Sequence, residues 1–94
     1  MNTEKLENAL KSIGKKSFVE EYEVYSKHNM SSKLKINLLS EKYSKNGATI
    51  RVSFAEEIIK NKKQKEALEI IINSPRITYE VKEKAKTILR DLDN

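Results

Sequence analysis

Apolar residues recur along most of the chain at helical spacing, and the polar residues between them mark the ends. Leu6, Ala9, Leu10 and Ile13 fall at i, i+3, i+4 and i+7, which predicts an amphipathic first helix. Thr3 can cap it, Glu4 and Glu7 favour its positive end, and Gly14 suits a left-handed cap where it stops. Ser17-Phe18-Val19-Glu20 has capping-box spacing and opens a second helix. Phe18, Val19, Tyr22 and Tyr25 give that helix a broad side suited to core packing. A third helix is expected over 32–43, capped by Ser31 or Ser32 behind Met30, with Leu34, Leu38 and Leu39 on its buried face and Tyr43 closing it. Asn46-Gly47 then reads as a tight turn, because both residues tolerate positive φ. A helix over 48–60 follows, with Ile50, Phe54 and Ile58 as its buried stripe and Thr49, Arg51 and Ser53 on its outer face.

Residues 68–81 carry two patterns. Leu68, Ile71 and Ile72 share one side of a helix, and Thr78 can cap a last helix with the stripe Val81, Ala85, Ile88, Leu89 and Leu92. Alternatively Ile70-Ile71-Ile72 and the alternation Arg76-Ile77-Thr78-Tyr79-Glu80-Val81 form a hairpin about Asn73-Ser74-Pro75. That hairpin would be the wing of a winged helix-turn-helix, with Arg76 near its tip. The turn lacks Gly and Pro75 fits a two-residue hairpin poorly, so helices are the preferred reading. The expected fold is therefore mainly α, a small multi-helix domain containing a helix-turn-helix, with the winged form as alternative. Its 94 residues suit a single domain with a modest core.

Charge sharpens this picture. The net +5 is concentrated: residues 27–51 carry Lys27, Lys33, Lys35, Lys42, Lys45 and Arg51 against Glu41 alone, while the remainder of the chain sums to zero. A basic patch on the segment that reads as a helix-turn-helix attracts phosphate. The chain has no cysteine, which excludes disulfides and thiolate metal sites and suits a reducing cytoplasm. Its apolar runs fall short of a membrane span, and Met1-Asn2-Thr3-Glu4-Lys5 lacks the start of a secretory signal, so a cytoplasmic protein without membrane association is expected.

Leu39-Ser40-Glu41-Lys42-Tyr43 through Thr49-Ile50-Arg51 resembles the helix-turn-helix of GntR-type bacterial regulators. Leu39, Glu41, Tyr43, Thr49 and Arg51 match that pattern without a gap, and Ile50 and Phe54 replace Val and Leu. Asn46, Gly47 and Val52 depart from it. The resemblance covers residues 39–54 and implies that Thr49 and Arg51 lie on a recognition helix facing DNA.

The resulting expectation is a small basic protein that reads duplex DNA through helix 48–60 in the major groove, as a simple regulator or a plasmid or phage accessory factor. Thr49, Arg51 and Ser53 would reach base edges, and Lys33, Lys35, Lys42, Lys45 and Asn46 would hold phosphates. One such unit is small, so a homodimer on paired half-sites is expected, supplied by the first or last helix, with no small-molecule effector. The alternative is an interaction module for an acidic partner, using the same basic surface with Val52 as an apolar anchor. Catalysis is not expected. The sequence shows no Gly-rich phosphate loop and no Ser–His or Cys–His arrangement. Glu20, Glu21 and Glu23 have no His or Cys beside them, so neither metal nor cofactor is expected. His28, the single histidine, suits a helix end.

Overall fold

The computed structural model describes residues 1–93 and holds seven helices in this range: α1 (Thr3–Ile13), α2 (Lys15–Glu20), α3 (Tyr22–Tyr25), α4 (Ser32–Leu39), α5 (Lys45–Lys60), α6 (Gln64–Ile72) and α7 (Tyr79–Leu92). The described residues contain no strand. The hairpin reading of 68–81 is thereby overturned: Ile70-Ile71-Ile72 ends α6, Thr78 caps α7 by accepting from the Val81 amide, and Arg76 is exposed in the loop between them, not on a wing. No described helix is long and apolar enough to cross a membrane.

Helix α5 is central, packed against α1 on one side and α4 on another, while α7 packs on α6 and α2. Helix α1 follows its pattern, with Leu6, Ala9, Leu10 and Ile13 all buried. Its cap is Asn2, one residue earlier than expected, whose Oδ1 accepts from the Lys5 amide at 2.8 Å. Gly14 has φ +90° and ψ 125°, a positive-φ joint but not a left-handed helical cap, and it leads directly into α2. Ser17 therefore lies inside a helix instead of capping one, and Glu20 ends that helix. The chain bends at Glu21 before α3, and Phe18, Val19 and Tyr25 become fully buried as the aromatic pattern predicts. The Phe18 and Tyr22 rings meet edge-on, with centroids 5.5 Å apart.

Two helices are rotated from their expected phase. In α4, Leu39 and Lys35 are buried, whereas Leu34 and Leu38 are exposed. In α5, the buried residues are Ala48, Val52, Ala55 and Ile58; Phe54 is half-buried and Ile50 is 49% exposed. Small Ala48 and Ala55 let α5 lie close to its neighbours, an advantage that a search for large apolar residues overlooks.

Candidate nucleic-acid interface

The segment that joins α4 to α5 is Ser40–Ser44, not Asn46-Gly47. Ser44 is the cap of α5 and accepts from the Gly47 amide at 3.0 Å, so Asn46 and Gly47 belong to the first helical turn. Gly47 is there for space and not for positive φ. A Cβ at this position would come within 3.0 Å of Arg51 Nη1 and 3.1 Å of Ser44 Oγ.

That space accommodates the Arg51 side chain. Its guanidinium lies over the Tyr43 ring, 4.1 Å from the centroid, and Nη1 donates to the Gly47 carbonyl at 3.2 Å. Tyr43 OH in turn donates to Ser17 Oγ at 2.8 Å, and Ser17 Oγ shares a second 2.8 Å hydrogen bond with Tyr25 OH. Burial pushes the Tyr25 hydroxyl up to about 12, partly offset by the Ser17 hydrogen bond. A continuous polar chain thus fixes the entry to α5 against α2 and α3.

The expected trio of base-reading residues is split by this arrangement. Thr49, Arg51 and Ser53 are spaced by two, a strand's period; at about 100° per residue, Arg51 lies roughly 200° around the helix from Thr49. Thr49 and Ser53 are exposed, while Arg51 is half-buried on the flank. Two further exposed residues share their face: Asn46, at i−3 from Thr49 and i−7 from Ser53, and Ile50, at i−3 from Ser53. Lys45 and Lys60 are exposed at the two ends of the helix. Through its first two turns the solvent side of α5 holds no carboxylate; Glu56 and Glu57 come only afterwards.

The lysines expected on phosphates also separate. Lys35 is only 3% exposed, and its Nζ donates to the Tyr25 carbonyl at 2.9 Å and pairs with Glu56 at 3.1 Å. It cannot reach a phosphate without abandoning both, so it is a structural lysine. Glu56 also accepts from Ser32 Oγ, which ties α4 to α5 through one carboxylate. Lys42 is exposed but lies 3.5 Å from Glu21 and 3.6 Å from Glu20; Tyr43 first, then these carboxylates, raise its pKa. Lys33 and Lys45 are exposed and make no ion pair among the described residues. Val52, the expected apolar anchor, is 1% exposed and available to no partner. The buried Ser17–Tyr25–Tyr43 chain escapes sequence reasoning because hydroxyls 8 and 26 residues apart leave no local spacing signal.

No family model, no curated protein and no solved structure matches this chain.

Proposed function

We propose that the chain is a small DNA-binding protein that presents the N-terminal half of α5 to the major groove. The observation that carries this reading is the carboxylate-free face of Asn46, Thr49 and Ser53, with Ile50 exposed among them, on the first turns of a capped helix and bordered by Lys45. Helix-turn-helix readers use the same part of the recognition helix for base edges. Asn46 bonds an adenine through its N6 and N7 edge, because a carboxamide offers one donor and one acceptor side by side. Thr49 spends its hydroxyl proton on the Lys45 carbonyl, leaving its oxygen and methyl for the groove. Lys33 and Lys45 contact phosphates, with Lys42 contributing where it is not held by Glu20 and Glu21. Arg51 braces the helix start from the Tyr43 ring and reads no base. The protein acts as a simple regulator or a plasmid or phage accessory factor, and as a homodimer on paired half-sites.

The test is a titration of variants against a selected duplex. Asn46→Ala should weaken specific binding by about 1–3 kcal/mol and relax preference at one A·T pair. Lys45→Ala should weaken binding to all sequences alike and reduce the salt slope by about one unit. Unchanged binding by both variants would remove α5 from the interface.

A further inference from the structure

The far end of α5 holds exposed charge that the fold itself does not use. Lys60, the last residue of the helix, and Lys62, just beyond it, are both exposed and make no ion pair among the described residues. Their neighbours Lys63 and Lys65 are engaged, with Glu66 and Asp93. The chain leaves α5 through a Schellman turn: the Lys62 amide donates to the Ile59 carbonyl and the Lys63 amide to the Ile58 carbonyl, both at 3.0 Å. Lys62 holds the left-handed position of that turn, with φ +57°, and is the only non-glycine residue with positive φ among the described residues. Glycine takes this position with less strain, so the backbone gives no reason for a lysine there. A strained residue whose conformation another would hold more easily points to a role for its side chain.

We infer that Lys60 and Lys62 form a second phosphate clamp, at the edge of the major groove opposite the one that Lys45 holds. The inference rests on the proposed DNA reading and deepens it. Register, and not charge alone, selects these residues. A helix turns about 100° and rises about 1.5 Å per residue, so Lys45 and Lys60 lie within about 60° of each other and about 22 Å apart. Lys60 also falls about 20° from Thr49, on the side that the reading turns toward the bases. The remaining basic residue of α5, Arg51, is on the flank against the Tyr43 ring. The major groove is about 12 Å wide. A helix that enters it by its first turns, with Lys45 at one edge, therefore carries its last turns past the other edge and over the phosphates there. Of the two carboxylates in those turns, Glu56 is occupied by Lys35 and Ser32, which leaves Glu57 exposed against two lysines. Phosphate contacts at both ends fix the register of the helix, which base contacts along one face do not.

The experiment is the affinity of the full chain for a mixed-sequence duplex between about 50 and 200 mM salt. Wild type, Lys45→Ala, Lys60→Ala and Lys62→Gly are compared. Lys60→Ala and Lys62→Gly should each weaken binding to all sequences and lower the log–log salt slope by about one unit. Lys62→Gly removes the charge while easing the backbone, so its urea midpoint should equal or exceed that of the wild type. Weaker binding by this variant is then a loss of contact and not of structure. A wild-type salt slope in either Lys60→Ala or Lys62→Gly would overturn the clamp. If Lys45→Ala lowered the slope in the same series, the DNA reading would stand without it. A wild type that failed to bind the duplex at the lower salt would overturn both.

Discussion

Lys35 shows how a single residue changes role once its surroundings are known. In sequence it is one of several lysines on a basic segment; in the fold it is buried and satisfied by a carbonyl and a carboxylate. Lys35→Ala would leave the Tyr25 carbonyl and Glu56 without their donor. It should cost about 1–3 kcal/mol in urea denaturation, with no change in the salt slope of DNA binding by the folded fraction. Tyr25 gives a pH-dependent counterpart. Its hydroxyl ordinarily ionises near 10.0 and is pushed up to about 12 in the fold, so folding favours the protonated phenol. This contribution is whole below pH 10 and is lost as pH rises through 12. It amounts to something on the order of 2 kcal/mol. Urea midpoints should fall across that window in the wild type, and the step should shrink in Tyr25→Phe. Neither role was legible from the chain, because burial of one lysine among many and of one hydroxyl among four tyrosines depends on residues distant in sequence.

At the scale of elements, helix existence was legible and helix phase was not. The stripe of α1 and the Thr78 cap agree with the sequence pattern, and that of α7 does so at Val81 and Ala85, with Ile88 and Leu89 half-buried and Leu92 exposed. In α5, however, the large residues Ile50, Phe54 and Ile58 suggested one face, and the fold buries Ala48, Val52, Ala55 and Ile58 instead. Hydropathy alone places Ile50 inside, yet two alanines allow a closer approach on the neighbouring face, and close packing decides. Ser44 was likewise hidden behind Asn46-Gly47, a pair that signals turns more strongly than a lone serine signals a cap. The rotated phase is directly testable. Val52→Asp should destabilise the fold by roughly 3 kcal/mol or more, whereas Ile50→Asp should change it by less than about 1 kcal/mol. The sequence pattern alone predicts the reverse order, and thermal or urea unfolding distinguishes the two.

For the whole molecule, charge and shape belong together. The seven described helices pack with a radius of gyration of 12.4 Å, the value expected of one folded unit of this length. The basic excess of residues 27–51 survives folding only in part: Lys35 turns inward and Lys42 is held near Glu20 and Glu21, while Lys33 and Lys45 stay exposed. The proposed interface is therefore narrower than the sequence suggests and centred on the start of α5. In the proposed DNA reading, few phosphate contacts imply a modest salt slope per copy, which the proposed pairing of copies would raise. The most direct test of the reading is selection from a random-sequence duplex pool, followed by binding of the survivors at about 50 and 200 mM salt. The account predicts a recovered motif, repeated at a fixed spacing and containing an A·T pair that Asn46→Ala no longer requires, with affinity falling as salt rises. Absence of binding at the lower salt would contradict it.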